Sequence, residues 1–380
     1  MKLFFCGDFC SKPSTHPITI SDGLRQLIQS CDIKVVNFEV PLKPDVAMPT
    51  QRRERFYQND DTPAFLRNIG FNVFSLANNH TFDWGEEGFR KTKSALGEIT
   101  FGAGTYEEAF TVKMIDVRGL KIGFLGFTFA AYTGVFDDVL QHEGLGCAYI
   151  NDLRVNHTIM KAKKDVDYLF ILPHDGIEYI DIPMPETIAR YRDFIDYGAD
   201  GVIGSHPHCP QGWEVYKGKP IFYSLGNFLF NSKEDYDYRA TNRPHWYEGL
   251  GVILNIANRK MTWDVISTKN VGNLFIDIDH DEKRIAHNEK LCYYIHEKQA
   301  YIECFYQICM EQVYGKEMNI IDYTFHPSTL GGCTKLLIKD WIFKIIGKDF
   351  TNDYPLMRLL THDGRKNLMK HAIKYNNKNQ

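Results

Sequence analysis

The chain has 380 residues, 44% hydrophobic and 24% charged, a globular balance that excludes a disordered chain, a disulfide miniprotein and a fibrous repeat. At about 150 residues per domain, two or three domains are expected. Lys plus Arg number 44 against 48 Asp plus Glu, a formal net charge of −4, so no basic excess advertises nucleic acid and none is expected as a partner.

Met1 to Asp8 is too short for the apolar region of an export signal. The longest apolar stretch, Ile122 to Phe136, is broken by Gly123, Gly126, Thr128, Thr133 and Gly134, and nothing approaches the ~18 residues of a membrane span. Nine cysteines, odd in number and without CxxC spacing, read as reduced thiols, so a cytoplasmic location is expected. In chain order, β-branched and aromatic runs predict strands at Leu3–Cys6, Lys34–Phe38, Val73–Leu76, Lys121–Phe127, Tyr168–Leu172, Gly201–Ile203 and Ile221–Ser224. Helical patterns lie between them at Leu24–Ser30, Pro63–Ile69, Glu86–Leu96, Leu153–Lys164 and Pro185–Tyr197. This alternation argues for an α/β core, closed by a hairpin of Gly251–Ile256 and Met261–Ser267. A long helical pattern from Ile285 to Val313, the interruption Gly331-Gly332 and a further helix over Lys335–Ile346 follow. The expected division is an α/β domain at 1–278 and a helical appendage at 279–380.

The polar residues fall at strand ends. Leu3–Cys6 runs into Gly7-Asp8, Lys34–Val36 into Asn37-Phe38-Glu39, and Val73–Leu76 into Asn78-Asn79-His80. Tyr168–Leu172 runs into His174, and Gly201–Ile203 into Ser205-His206-Pro207-His208. In open α/β sheets the crevice beyond the carboxyl ends of the strands is where ligands bind. Carboxylates, amides and imidazoles together suit Mn, Fe or Zn, whereas an all-oxygen shell would suggest Mg or Ca. His206 and His208 are two apart, so in extended backbone both rings can face one side, and Pro207 disfavours a helical His206. Bland readings stand beside these: Asp8 as a cap or turn, Glu39 as a loop acid, His174 as an interior histidine, Cys10 as a mere neighbour.

These segments carry a resemblance. GDF at Asp8, NFEVPL at Asn37-Phe38-Glu39, SLANNHTFDWG (75–85), PHDGIEY (173–179), GADGVIGSHPHCPQ (198–211) and YSLGNFLF (223–230) resemble the capsule-synthesis CapA family, the poly-γ-glutamate capsule proteins. That family is related in fold to the calcineurin-like metallophosphatases. The resemblance implies a four-layer α/β/β/α sandwich of the metallo-dependent phosphatase type, carrying a dinuclear centre of divalent transition metals. It implies Asp8 and His208 on one metal, Asn79, His174 and His206 on the other, and Glu39 bridging. His80 would be the catalytic imidazole, with Asp83 either orienting it or serving as a turn residue. Asn37, Asn78, Glu178 and Asn227 are candidate substrate contacts, Asn227 alternatively a turn organiser. Two positions depart: Cys10 stands where the Asp-x-His of metallophosphatases would place histidine, and Asp175 follows His174 where the CapA family usually has Trp, an acid that either repels an anionic substrate or adds a ligand.

Arg52, Arg53 and Arg55 form a basic cluster read as an anion contact or a charged surface loop. The segment 331–380 carries ten Lys or Arg against four Asp. Within 335–348, an apolar stripe of Leu336, Leu337, Trp341, Ile342, Ile345 and Ile346 is flanked by lysines, as in a helix at an anionic membrane surface or one packed on the acidic main domain. The leading expectation is a metal-dependent hydrolase or transferase in capsule or exopolymer synthesis, acting on an anionic polymer or small anionic substrate. The alternatives are a non-catalytic accessory protein and a generic phosphoesterase.

Overall fold

The strand Lys2–Cys10 is buried at every residue but the first, as its unbroken apolar run requires of a strand covered on both faces. It pairs in parallel with Ile33–Phe38, which pairs with Val73–Ser75. On its other side it runs antiparallel to Glu248–Ala257, which forms the expected hairpin with Lys260–Val271. The sheet extends to Phe275–Ile278 and Thr19–Ile20 at one edge and Thr100–Phe101 at the other, and Asn227–Phe230 pairs with the end of the first strand. A second sheet has the order Trp213–Tyr216, Lys219–Phe222, Gly201–Ile203, Tyr168–His174, Leu120–Thr128, Lys113–Val117. The computed structural model describes residues 1–14, 16–45, 56–130, 134–136, 143–231, 236–243, 245–309, 367, 370 and 371. The Arg52–Arg55 cluster and the stripe at 335–348 lie outside them.

The two sheets face each other across a core that includes Leu3, Phe5, Val35 and Val73 from the first and Ile122, Phe124, Phe170 and Phe222 from the second. Phe5 meets Phe170 at 5.4 Å between ring centroids and Phe124 at 6.4 Å. Burying each such ring contributes about 1.5–3 kcal/mol. On the outer face of the first sheet, Phe4, Val36 and Phe38 pack with Leu24 and Ile28 of helix Asp22–Gln29, Leu66 and Ile69 of Thr62–Ile69, and Phe89 and Leu96 of Gly85–Leu96. On the outer face of the second, Leu125, Phe127 and Ile171 pack with Val155 and Ile159 of helix Val155–Asp165 and with Tyr191 and Phe194 of Pro185–Asp196. Helix, sheet, sheet, helix: the architecture is a four-layer α/β/β/α sandwich.

Local chemistry sets the helix ends. The Ser21 side chain accepts from the Leu24 N–H to cap the first helix. Pro63 opens the second, and Gly70 closes it at φ 111°. The compact unit runs from Met1 to His296. It includes helix Glu282–His296, where the Trp213 N–H donates to Cys292 Sγ. Over its described part, the helical pattern read from Ile285 to Val313 is two helices, and residues 310–313 lie outside the described residues. The first ends at His296, and Lys298–Cys309 follows within a second unit that begins at Glu297, whose carbonyl accepts from the Tyr301 N–H.

Candidate metal centre

Two glycines let the site close. A Cβ on Gly7 would lie 1.9 Å from the Gly226 carbonyl oxygen, and one on Gly204 would lie 2.1 Å from that of Tyr223. Only glycine permits these approaches, which bring Asp8 beside Asn227 and turn the chain after Ile203 toward Asp8.

Asp8 is fully buried. Its carboxylate accepts from Asn37 Nδ2 at 2.7 Å and from the His206 backbone N–H at 3.1 Å, with His208 Nδ1 at 3.4 Å. Burial alone would raise its pKa, but the His208 and Asn37 contacts and the His174 imidazole hold it below the usual carboxylate range. Glu39 is buried as deeply and has the opposite character. Neither of its oxygens has a hydrogen-bond partner among the described residues, while Oε1 lies 3.7 Å from His174 Nε2, 3.8 Å from His208 Nε2 and 3.9 Å from His80 Nε2. Burial, then Asp8, pushes its carboxyl well above the ordinary range.

His174 Nδ1 sits 3.0 Å from Ser205 Oγ and 3.2 Å from Asn37 Nδ2. Its Nε2 faces Asn79 Oδ1 at 3.0 Å and His206 Nδ1 at 3.2 Å. Burial pushes this imidazole down to about 3. His208 goes the other way: burial would depress it, yet Glu39 and Asp8 carry it up to about 9. Glu39 Oε1 thus faces the Nε2 atoms of His174 and His208, while His174 Nδ1 lies 3.7 Å from Asp8 Oδ1. Buried carboxylate oxygens without donors, facing imidazole nitrogens at less than 4 Å, fit divalent cations, because an unpaired buried carboxylate is otherwise costly. One oxygen each of Asp8 and Glu39 and one nitrogen of His174 all lie within 4.8 Å of one another.

The histidine pair converges by a different route from the one expected. His206 and His208 are not in extended backbone: their φ angles are 103° and 56°. Two left-handed residues around Pro207, rather than strand alternation, bring the ring centroids to 5.9 Å. Val40, next to Glu39, and Tyr179 are also left-handed, at 78° and 68°. Strained backbone of this kind persists where the surroundings over-determine it, commonly at functional sites.

His80 stands at the edge of the cluster, with Nδ1 2.7 Å from Asp83 Oδ2. Asp83 is buried in the turn before the helix that begins at Gly85: its N–H donates to the His80 carbonyl, and its Oδ2 accepts from the Phe56 N–H as well as facing His80. Asn37 and Asn78 direct their amides inward: Asn78 Nδ2 donates to Asn37 Oδ1 and the Phe38 carbonyl, and Asn78 Oδ1 accepts from the His80 N–H. Asn227 opens a strand, where Oδ1 lies 3.0 Å from His208 Nδ1 and Nδ2 donates to the Trp246 carbonyl. Glu178 is half-buried and adds a negative field at Glu39 and His208. Asp175 accepts from Thr187 Oγ1 at 2.9 Å, an anchor to the helix beginning at Pro185. Cys10 packs with Val40, Phe230, Trp246 and Tyr247, and burial drives its thiol far above its ordinary range. The eight described cysteines are free.

Several residues here carried no sequence signal. Lys12 Nζ lies 4.1 Å over the Phe56 ring, which is 5.4 Å from the His80 ring. The Arg243 guanidinium lies 4.0 Å over Tyr179, and Trp246 lies 5.0 Å from His208. Of these only Tyr179 falls in a motif segment, so spacing could not have found the others.

Facing sheets, outer helices and an acid–imidazole cluster at the carboxyl ends of parallel strands define a sandwich of the metallophosphatase type. The family model described as "Bacterial capsule synthesis protein PGA_cap" matches residues 2–232, and the chain belongs to that family. It is 32% identical over 215 residues to "Capsule biosynthesis protein CapA" of Bacillus anthracis, covering 54% of this chain and 52% of that protein. It is 31% identical over 248 residues to "PGA biosynthesis protein CapA" of Bacillus subtilis, covering 61% and 63%. A Mycobacterium tuberculosis relative, "Probable polyglutamine synthesis accessory protein", is 26% identical over 218 residues, covering 54% and 56%. These matches span less than two thirds of each relative. No helix among the described residues is long and apolar enough to cross a membrane.

Proposed function

We propose that this chain is a metal-dependent hydrolase or transferase acting on an anionic substrate, a phosphoester or a γ-glutamyl amide, in capsule or exopolymer synthesis. The observation that carries the reading is the placement of His80. Its Nδ1 is held by the buried Asp83 at 2.7 Å, and its Nε2 points toward Glu39 at 3.9 Å. Asp8, Glu39, Asn79, His174, His206 and His208 would hold the cations, and Asn37, Asn78, Ser205 and Asn227 fix those side chains in place. Two divalent cations in such a centre supply charge neutralisation at a phosphoryl or carboxyl oxygen and a nucleophilic water at neutral pH.

The chain's own residues supply the rest. Asp83 stabilises the imidazolium form of His80, so Nε2 can pass a proton to a leaving oxygen. Lys12 and Arg243, each stacked on an aromatic ring near a site imidazole, attract an anion to the rim. Asp8, Glu39 and Glu178 put three carboxyl groups in or beside the imidazole cluster, which favours cation uptake before an anionic substrate binds. The capsule context rests on family membership and the names of the relatives.

A non-catalytic accessory role is the second reading, favoured by the packed thiol of Cys10 where metallophosphatases place histidine, and by the accessory name of one relative. The test is a panel of phosphoesters and γ-glutamyl peptides offered to metal-loaded protein. Turnover that disappears with chelator supports the enzyme. Binding of poly-γ-glutamate with no turnover across the panel would give the accessory reading its place.

A further inference from the structure

Apart from the central cluster, a second group of ligand-type side chains comes from three distant segments. Asp181 lies in the loop after Glu178 and Tyr179, His245 precedes Trp246, and His287 sits on helix Glu282–His296. One carboxylate oxygen of Asp181 and one nitrogen of each imidazole all lie within 4.8 Å of one another. The two rings stack in parallel, with centroids 4.8 Å apart and planes 4° apart. His287 Nε2 is buried, has no well-aligned hydrogen-bond partner among the described residues, and lies 3.3 Å from Asp181 Oδ2.

We propose that Asp181, His245 and His287 form a second metal site, taking one divalent transition-metal ion of the zinc class. Two neutral imidazoles and a carboxylate are a donor set this class prefers. A fourth residue prepares it. His245 Nδ1 lies 2.9 Å from Glu248 Oε2, and Glu248 Oε1 is in turn 3.3 Å from Arg284 Nε. A carboxylate on Nδ1 fixes the tautomer in which Nε2 carries the lone pair and makes that nitrogen a stronger ligand. All three residues are partly exposed, which places the group near the surface, with His287 Nε2 on its buried side. Ligands 2.0–2.2 Å from a shared zinc are about 3.4 Å apart, so the donor atoms must draw together by roughly an ångström, and one stacked ring must turn out of parallel for both in-plane lone pairs to meet one ion.

The site would do something the central one cannot. Tyr179 and Trp246, neighbours of the ligands in sequence, both pack near His208, at 6.3 and 5.0 Å between ring centroids. An ion tying their loops to helix Glu282–His296 would brace the wall of the candidate active site. His245 and His287 lie beyond residues 2–232, the segment the family model matches, and the proposed site does not depend on the proposed activity.

Zn2+ alone is a sufficient probe. Full-length protein, stripped with chelator, is titrated with Zn2+ in competition with a chromophoric chelator. Wild type should bind one equivalent more than His287→Gln, or bind that equivalent at least tenfold more tightly. Asp181→Asn should show the same loss, and Asp8→Asn should retain the equivalent, which separates this site from the central one. Far-UV circular dichroism checks each fold, and if His287→Gln fails that check, Asp181→Asn carries the comparison. Identical Zn2+ stoichiometry and affinity in wild type and the folded variants would overturn the proposal.

Discussion

Glu39→Gln separates the cost of the candidate metal centre from its use. In metal-free protein the Glu39 carboxyl is raised well above its ordinary range by burial and by Asp8. A carboxyl whose folded pKa is raised contributes stability that is complete below its unfolded pKa, about 4.3, and is lost as pH rises through the folded value. Chelated wild type should therefore lose stability as pH climbs above the ordinary carboxylate range, and Glu39→Gln should flatten that loss. Near neutrality the nearly isosteric amide should cost no more than the roughly 1 kcal/mol of an average point mutation. With metal the order reverses. At a free Mn2+ concentration of 100 Kd, a ligand that binds only the folded state stabilises by about 2.7 kcal/mol. Losing the carboxylate that lies 3.7 and 3.8 Å from two imidazoles should weaken binding by at least the ~100-fold seen for removing supporting contacts alone. At the same Mn2+ concentration about 0.4 kcal/mol then remains. For a unit that runs from Met1 to His296, an unfolding entropy of about 2.1 cal/mol/K per residue makes 1 kcal/mol worth roughly 1.6 °C, so the metal-induced rise in Tm should fall from about 4 °C to under about 1 °C. Scanning calorimetry with EDTA and with Mn2+ reads both halves. Equal Mn2+-induced shifts in wild type and Glu39→Gln would refute the reasoning.

The imidazole at the edge of the cluster should behave differently from those within it. His80→Ala should keep its metal yet lose ~10²–10⁴-fold in turnover of whichever substrate the panel identifies. Asp83→Asn should lose activity with its alkaline limb moved to lower pH, because the imidazolium of His80 loses its carboxylate partner, and an unchanged pH–rate profile would remove Asp83 from the positioning role. His208 should report metal uptake through protons. Its imidazole is held up to about 9 by Glu39 and Asp8 against the pull of burial, and a ligating imidazole must be neutral. Mn2+ binding at pH 7 should therefore release a proton, measurable by calorimetry in buffers of different ionisation enthalpy, and affinity should rise with pH up to about 9.

Much of this fold was legible because its central strands are buried on both faces. Leu3–Cys6, Lys34–Phe38, Val73–Leu76 and Tyr168–Leu172 are apolar runs that stop at acids, amides or imidazoles, and those stops mark the carboxyl ends of parallel strands. What the sequence hid is set by distance and backbone. The strands Thr19–Ile20 and Phe275–Ile278 are too short to show a period, yet they close one edge of the first sheet. Positive φ at His206 and His208 comes from tertiary confinement, which no dipeptide preference announces. Asn227 resembles a turn residue in isolation but begins a strand, because Gly226, at φ 65°, completes the turn before it. Lys12, Arg243 and Trp246 reach the site rim through packing on Phe56, Tyr179 and His208, each in a segment some tens of residues away, a relation that local spacing does not encode.

Metal content of the central cluster tests the account most directly. Protein loaded with Mn2+, desalted and assayed by elemental analysis should carry one to two ions per chain, and His206→Ala combined with His208→Ala should lose most of them while remaining folded by circular dichroism. A double variant that retains the wild-type stoichiometry, or a wild type that takes up no transition metal, would contradict it.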